Sequence, residues 1–319
     1  MENKIYNELD EIDEFEISIW DFYAANLSPK TRKNYYNIVK NYIKIIGKTP
    51  LKLTEEDADK YTRYLIERVQ NQRLSYTTAV MRVSVMRSLC DYIKLYQNRH
   101  HMEYINYFNN IMLPDIDKTL TEEYLPDAKD INTLLEYVRD CDDEMSYVLF
   151  ALVTKCGLKS SELCNLSYEH IVFDNDKNMC IKFPPKRGVT RIIAVPDDIR
   201  ELITHFIGRN SISTGPLFYN KHNKQLKVRD AERLLKKYID ECSLLPENVR
   251  IKKAFTLQQL RHAAVKYMLQ GGASDEQAAR YCGITTKWMS RYIQIVDNSK
   301  VINAVNMSVI SINEYTQKN

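Results

Sequence analysis

The sequence predicts a mainly helical protein of two domains, the second of which contains a small antiparallel β-sheet. The chain has 319 residues, of which 44% are hydrophobic, and this is enough for two cores of ordinary size. Long stretches repeat apolar residues at helical spacing, and only 8 glycines interrupt them. Residues 179–196 differ, because two short apolar runs flank a turn of Pro, Lys, Arg and Gly, a pattern that predicts a β-hairpin.

The distribution of charge separates an acidic leader from a basic domain, although the formal net charge is only +3. Residues 1–27 contain eight Asp or Glu and one Lys, whereas residues 28–116 contain fifteen Lys or Arg against eight Asp or Glu. A basic domain of this kind favours a polyanionic partner. We therefore expect a leader at 1–27, a basic helical domain at 28–116 and a second domain at 117–319.

Capping signals mark the helices of the basic domain. Ser28 followed by Pro29 is typical of a helix start, with serine as the cap and proline in the first turn. Thr54 followed three residues later by Asp57 indicates a capping box at the start of a second helix. The predicted helices cover residues 29–46, 55–70, 75–96 and 102–112.

The first predicted helix carries four lysines spaced three, seven and four residues apart, so that they share one face. Such a stripe is often only a solvated face, and that interpretation stays open. No Asp or Glu occurs between residues 28 and 48, which favours the alternative of a face that contacts phosphates. With two arginines of the third helix, the candidate phosphate-binding residues are Lys30, Lys33, Lys40, Lys44, Arg82 and Arg87.

A linker and a second helical region follow. Residues 113–127 contain two prolines, several acidic residues and no clear period, which predicts an interdomain linker. Helical periodicity then resumes on both sides of the predicted hairpin, and an apolar, helical tail is expected at 299–311. The expected helices are 128–140, 143–156, 159–166, 197–208, 228–242, 257–270, 274–282 and 286–294.

Several classes of protein are disfavoured. The seven cysteines are odd in number and contain no Cys-x-x-Cys pair, which argues against a disulfide framework or a zinc site and favours buried free thiols. The first residues lack the pattern of a signal peptide, and no apolar run is long enough to span a bilayer. We therefore expect a cytoplasmic protein without membrane association and without a metal or other cofactor.

Three separated segments carry residues suited to phosphate chemistry. The first is residues 154–166, with the sequence Thr-Lys-Cys-Gly-Leu-Lys-Ser-Ser-Glu-Leu-Cys-Asn-Leu. The second is the predicted hairpin, in which Lys186 precedes Arg191 by five residues. The third is residues 258–292, which include Gln258, Arg261, His262, Gly271-Gly272, Cys282-Gly283-Ile284 and Tyr292.

These segments, in this order, resemble the motif boxes of the tyrosine recombinase (phage integrase) family. The resemblance implies a SAM-like core DNA-binding domain at 28–116 and a catalytic domain of mixed, mainly helical fold at 117–319. It also implies that Tyr292 attacks a DNA phosphate to form a 3′-phosphotyrosyl ester, which needs neither ATP nor a metal ion. Arg261 would grip the phosphate and Lys186 would protonate the leaving oxygen. Double-stranded DNA is the implied partner, bound as a homo-tetramer or a mixed assembly.

The chain also departs from the family pattern. The arginine of the first box is Lys159, which keeps the charge but loses the two-pronged donor. The histidine of the third segment is Gln258, which cannot transfer a proton near pH 7, and the later histidine or tryptophan is Ile284, which offers no hydrogen bond. The span from Arg261 to Tyr292 is also about one residue shorter than the family pattern.

Two functions follow from the resemblance, and both stay open at this point. The first is an attenuated site-specific recombinase or integrase, favoured by Tyr292, Arg261 and Lys186. The second is a relative that has lost cleavage and binds DNA in regulation, in plasmid replication initiation or beside an active recombinase; the three altered positions favour it. The expected site residues are Tyr292, Arg261, Lys186, Lys159 and Gln258, and His262 is expected to be a buried or supporting histidine.

Overall fold

The computed structural model describes residues 19–21, 23–113, 124–185 and 188–292. The chain divides into two compact units, with the boundary between residues 117 and 118. Four predicted features lie wholly or mostly outside the described residues: the acidic leader at 1–27, the linker at 113–127, Lys186 in the hairpin turn and the apolar tail at 299–311. The mainly helical fold with one small antiparallel sheet is confirmed.

Three long α-helices form most of the described part of the first unit, and their starts follow the predicted caps. Residues 19–21 and 23–24 are also helical. The side chain of Ser28 accepts a hydrogen bond from the Thr31 N–H, and Thr54 and Asp57 form a capping box. Gly47 ends the first helix at a φ of 77°, a conformation that costs glycine little. The helices are α1 (Pro29–Ile46), α2 (Glu55–Gln70) and α3 (Tyr76–Arg99), with 3₁₀ turns at Pro50–Lys52 and Tyr107–Asn110.

Three aromatic side chains pack against one another at the centre of this unit. Tyr42, Tyr61 and Phe108 are fully buried, and they come from α1, α2 and the turn after α3. The ring centroids of Tyr42 and Tyr61 lie 5.2 Å apart and those of Tyr42 and Phe108 lie 6.0 Å apart, in edge-to-face arrangements. Such pairs add to the stabilisation that burial of apolar area already supplies.

The predicted fourth helix at 102–112 is wrong, because only Tyr107–Asn110 forms a single 3₁₀ turn. The Asn106 side chain accepts from the Phe108 N–H and donates to the Arg87 carbonyl and the Asp91 carboxylate. Arg87 in turn donates to the carbonyl oxygens of Phe108 and Ile111. Side chains thus form hydrogen bonds with backbone groups that would pair with each other in a helix. Residues 102–113 instead form an irregular segment that packs along α3, called the strap below.

The second unit contains seven α-helices among its described residues, each within about two residues of its predicted bounds. They are α4 (Ala128–Asp140), α5 (Glu144–Cys156), α6 (Ser160–Cys164), α7 (Asp197–Arg209), α8 (Val228–Cys242), α9 (Leu257–Gln270) and α10 (Asp275–Cys282). Short 3₁₀ helices occur at Tyr168–His170 and Thr286–Tyr292. The helix predicted at 286–294 is a 3₁₀ helix over its described residues, and residues 293 and 294 lie outside them.

Helix α5 lies at the centre of the second unit. Every residue from Ser146 to Cys156 is buried, and α4, α7 and α9 pack around it. A helix that is apolar on all sides requires this surrounding protein. Of the helices that the structure describes, none combines the length and apolar character needed to cross a bilayer. The cysteines are all free thiols, and six are buried as predicted, whereas Cys141 is exposed.

The sheet has three antiparallel strands, β1 (Ile171–Phe173), β2 (Met179–Lys182) and β3 (Ile192–Ala194), in the order β1-β2-β3. Strands β2 and β3 pair with Cys180 opposite Ala194, which confirms the predicted hairpin. Strand β1 was not predicted, because three residues are too few to show an alternating pattern. Strand β1 pairs with β2, and strand β3 contacts α10, where the Tyr281 hydroxyl donates to the Ala194 carbonyl.

Candidate active site

The candidate site lies where the end of α5, the start of α6, the first turns of α9 and the end of α10 meet. Lys159 directly precedes α6, and its backbone N–H donates to the Glu162 carboxylate in the first turn of that helix. Its ammonium donates to the Gly283 carbonyl, 2.8 Å away, and lies 3.4 Å from Glu162 Oε1. Burial lowers the pKa of Lys159, and Glu162 opposes this shift. Lys159 is therefore a partly exposed cation held by two acceptors.

Arg261 is a buried cation held by the ends of two helices. Its Nη1 donates to the Gly157 carbonyl at 2.5 Å and its Nη2 to the Cys282 carbonyl at 2.7 Å. Gly157 caps the C-terminus of α5 and Cys282 is the last residue of α10, so both carbonyls lie at negative helix ends. The guanidinium therefore has a fixed orientation, although burial lowers its pKa.

Arg191 is a third cation at the site. The sequence analysis named it only because it follows Lys186 by five residues. Its Nη2 lies 2.5 Å from Glu162 Oε2 in an ion pair, and its Nη1 donates to the Tyr281 carbonyl at 2.6 Å. The guanidinium also stacks 4.1 Å from the centre of the Phe183 ring. Glu162 therefore holds both Lys159 and Arg191. The glutamate within the first motif segment was the available signal for this role.

Gly283 allows these cations to approach the end of α10. It ends that helix at a φ of 63°, in the left-handed region. A Cβ atom at this position would come within 3.0 Å of the Arg191 guanidinium. The glycine is therefore required both by its backbone conformation and by the close passage of Arg191.

Tyr292 ends the 3₁₀ helix that follows α10, and its side chain is only 2% exposed. Its phenolic oxygen lies 2.5 Å from Nδ1 of His262, which is also buried. Burial raises the pKa of Tyr292 even though the charge of Arg261 acts to lower it. Burial and the nearby charges of Arg291 and Arg261 lower the pKa of His262 to about 4. At neutral pH the pair is therefore a protonated phenol beside a neutral imidazole.

Gln258 and Ile284, two of the positions that depart from the family pattern, differ in their relation to the Tyr292–His262 pair. Gln258 is exposed on the first turn of α9, and its Nε2 lies 3.4 Å from Nε2 of His262. Ile284 packs partly buried against the core and offers no polar side-chain atom. The described residues thus bring together Lys159, Arg261, Tyr292 and Gln258, whereas Lys186 lies outside them. His262, Arg191 and Glu162 complete the cluster.

The candidate phosphate-binding residues of the first unit fall into two groups. Lys30, Lys33 and Lys44 are exposed on α1, and Lys40 on the same helix is half-buried. Arg82 donates to the Asn41 side chain, and Arg87 donates to two carbonyls of the strap. The placement of Arg87 indicates a structural role, and its contact with DNA stays a prediction. Among the described residues, no three His, Cys, Asp or Glu side chains converge as metal ligands would.

Comparison of the sequence with models of protein families identifies the class to which this fold and site belong. The model of the phage integrase family matches residues 126–296, and the model of the phage integrase N-terminal SAM-like domain matches residues 18–96. The chain belongs to the phage integrase family, as the sequence motifs predicted.

Individual relatives agree with this assignment. A tyrosine recombinase of Pseudothermotoga lettingae is 25% identical over 285 residues, which are 87% of this chain and 92% of the relative. A tyrosine recombinase of Thermosipho africanus is 21% identical over 297 residues, covering 89% and 96% of the two chains. Among solved structures, a XerH site-specific recombinase bound to its difH substrate has a TM-score of 0.66 at 16% identity, covering 94% of this chain and 87% of that chain.

Proposed function

We propose that this chain is a site-specific tyrosine recombinase that cleaves and rejoins double-stranded DNA through Tyr292. The observation that carries the proposal is the assembly of Lys159, Arg261 and Tyr292 in one part of the second unit. Phosphoryl transfer needs little more than a nucleophile, fixed cations and an acid, and this cluster supplies the first two. Membership of the phage integrase family and the recombinase names of the relatives support the same reaction.

The proposed reaction is a transesterification. The phenolic oxygen of Tyr292 forms a bond to phosphorus as the bond to the 5′ oxygen breaks, which leaves a 3′-phosphotyrosyl ester. Arg261 stabilises the charge on the transferring phosphate, and Lys159 adds a second positive charge without the paired donors of arginine. Lys186 is the proposed acid for the leaving oxygen. Hydrolysis of the ester by water is not needed, because the 5′ hydroxyl of a partner strand attacks the phosphorus and releases the Tyr292 oxygen.

DNA contacts are proposed for both units. In the first unit the exposed lysines of α1 supply positive charge for contacts with a phosphate backbone. In the second unit the proposed ligand of Lys159 and Arg261 is the phosphate that Tyr292 attacks. Solved proteins of the same fold are described as bound to DNA, including a lambda integrase dimer on a core site and a lambda integrase tetramer on a Holliday junction. We infer a homo-tetramer or a mixed assembly on DNA for this chain, acting in the cytoplasm.

Specific observations favour a second function, DNA binding without strand cleavage. Gln258 cannot transfer a proton near pH 7, Ile284 offers no hydrogen bond, and the Tyr292 phenol is buried against His262. A chain with these features could bind DNA in regulation, replication initiation or support of an active recombinase without cutting it. The two functions differ in one product, the covalent complex.

The test is covalent trapping on a nicked DNA duplex. Cleavage beside the nick releases a short fragment, so a phosphotyrosyl adduct accumulates instead of being rejoined. The proposed recombinase gives an adduct that survives denaturation, and a Tyr292→Phe variant that binds the same DNA gives none. Binding without an adduct in the wild-type chain supports the second function.

A further inference from the structure

We propose that His262 is the general base that takes the phenolic proton of Tyr292 during strand cleavage, and that Gln258 orients it. The inference rests on the proposed cleavage function. The proposed proton acceptor is His262. It is neither of the two positions, Gln258 and Ile284, at which the family pattern has a histidine or a tryptophan. Three side chains carry the inference: Gln258 and His262 on α9, and Tyr292 at the end of the 3₁₀ helix that follows α10.

The first observation is the direct contact between acceptor and nucleophile. Nδ1 of His262 lies 2.5 Å from the phenolic oxygen of Tyr292, and the exposed fractions of the two residues are 7% and 2%. A general base must lie within hydrogen-bond reach of the proton that it removes, and this pair meets that condition without an intervening water. All six histidines are within the described residues, and among them His262 is the one that contacts Tyr292.

The second observation concerns the tautomer of the imidazole. Nδ1 can accept the phenolic proton only if the ring proton sits on Nε2. The Gln258 carboxamide reaches this nitrogen, with its Nε2 at 3.4 Å, and a half-turn of the carboxamide presents its oxygen as the acceptor instead. Gln258, His262 and Tyr292 then form a chain of orienting group, base and nucleophile, which is the general logic of an activated nucleophile.

The protonation states fit this direction of transfer. Burial, together with Arg291 and Arg261, lowers the pKa of His262 to about 4, so the ring is neutral and able to accept a proton at pH 7. Burial raises the pKa of Tyr292; Cys282 adds to the shift, and Arg261 and Arg291 oppose it. The phenol therefore keeps its proton at neutral pH and needs a base in order to attack.

The proposed step balances as follows. The phenolic oxygen of Tyr292 forms the bond to phosphorus, its proton passes to Nδ1 of His262, and the bond from phosphorus to the 5′ oxygen breaks. The 5′ oxygen takes a proton from the site acid, for which Lys186 is proposed. Because free tyrosinate beside imidazolium would be costly in a buried site, the proton moves together with the attack. On rejoining, His262 returns the proton to the phenol.

The experiment measures single-turnover adduct formation on a nicked duplex between pH 5 and 9. In His262→Asn the carboxamide keeps an acceptor near the position of Nδ1 but cannot take a proton. We expect its rate to fall by about 100-fold or more at pH 7 and to rise about tenfold for each pH unit, because tyrosinate then becomes the nucleophile. The wild-type rate should stay nearly flat over the same range. His205→Asn on the outer helix α7 is the matched control and should behave as wild type.

A second variant tests the same claim without removing the imidazole. In Gln258→Glu a carboxylate faces Nε2 of His262 and should raise its pKa by about one unit or more. The rate of this variant should therefore fall at the acidic end of the range, at a pH where the wild-type rate is still constant. This variant decides the matter if His262→Asn fails to bind DNA.

Three results would overturn the inference. If His262→Asn loses the same factor at every pH, His262 only positions Tyr292. If both variants keep the wild-type rate and profile, the imidazole takes no part. If the wild-type chain forms no adduct at any pH on DNA that it binds, the proposed cleavage function fails, and the inference fails with it.

Discussion

The ammonium of Lys159 donates a 2.8 Å hydrogen bond to the carbonyl oxygen of Gly283, which fixes this cation at the end of α10. The same nitrogen lies 3.4 Å from the Glu162 carboxylate, which also pairs with Arg191. Part of the hydrogen-bonding capacity of Lys159 is therefore already used by acceptors of the protein itself. An arginine here could keep the Gly283 contact with one nitrogen and present others to a phosphate.

The first prediction is that Lys159→Arg raises the rate of covalent adduct formation. A single transition-state donor is worth on the order of 100-fold in rate, and the forked guanidinium can present two aligned donors to a phosphate, which lysine cannot. Adding Gln258→His and Ile284→His should raise the rate further. Single-turnover kinetics on a nicked duplex measure the effect, and Lys159→Gln is the matched loss of charge, which should lower the rate. A rate unchanged in Lys159→Arg would mean that residue 159 does not reach the phosphate.

The second prediction concerns the exposed lysines of α1. Changing Lys30, Lys33 and Lys44 to Glu should weaken binding to any duplex and flatten the slope of log K against log salt by about one for each lost phosphate contact. Fluorescence anisotropy at several salt concentrations measures both quantities. The control changes the exposed residues Lys52, Lys60 and Lys94 to Glu, which matches the charge but lies off the α1 face. Equal losses in the two triple variants would show a general effect of charge instead of a specific face.

The third prediction assigns Arg87 to the stability of the first unit. Its guanidinium donates to the carbonyls of Phe108 and Ile111, so Arg87→Leu should lower the free energy of unfolding of this unit by about 2 kcal/mol. The chain has 2 tryptophans, Trp20 in the first unit and Trp288 in the second. Urea unfolding followed by Trp20 fluorescence in a Trp288→Phe background reports the first unit. Arg63→Leu on the exposed side of α2 should have little effect, and an equal loss there would contradict the assignment.

The fourth prediction is an acid sensitivity of the second unit. The pKa of His262 is about 4 in the folded chain against an ordinary value of 6.5, so below pH 6.5 the unfolded chain binds a proton that the folded chain does not. Stability should therefore fall as the pH drops from about 6.5 to 4, by about 2 kcal/mol between pH 7 and pH 5 from this group. Urea unfolding followed by Trp288 fluorescence in a Trp20→Phe background measures it. His262→Asn should remove this part of the pH dependence, and an unchanged dependence would contradict the low pKa.

Much of the fold was predictable because its signals are local. The Ser28 and Thr54 caps and the spacing of apolar residues set the helices, and the Pro-Lys-Arg-Gly turn set the hairpin. The strap at 102–113 was not predictable from its own residues. Its sequence permits a helix, and the competing hydrogen bonds come from Arg87 and Asp91 on α3, which is apparent only after folding.

The candidate site was predictable to the extent that its residues stand in motif segments. Lys159, Gln258, Arg261 and Tyr292 could be named because their segments resemble the motif boxes of the family. The roles of Arg191 and His262 depend on contacts across 90 and 30 residues of sequence, from Arg191 to the Tyr281 carbonyl and from His262 to Tyr292. The backbone carbonyls at the C-terminus of α10 bind Arg191 and Arg261, and no residue pattern in the sequence shows which distant cations such carbonyls will bind.

The fifth prediction tests the central claim most directly, and it concerns the covalent product of Tyr292. A nicked duplex with one labelled strand is incubated with the chain and analysed under denaturing conditions, with DNA binding measured in parallel. We predict a labelled protein–DNA adduct for the wild-type chain, more of it for Lys159→Arg, and none for Tyr292→Phe in either background. DNA that is bound but never joined to protein, in the wild-type chain and in the triple variant with Lys159→Arg, Gln258→His and Ile284→His, would contradict the recombinase account.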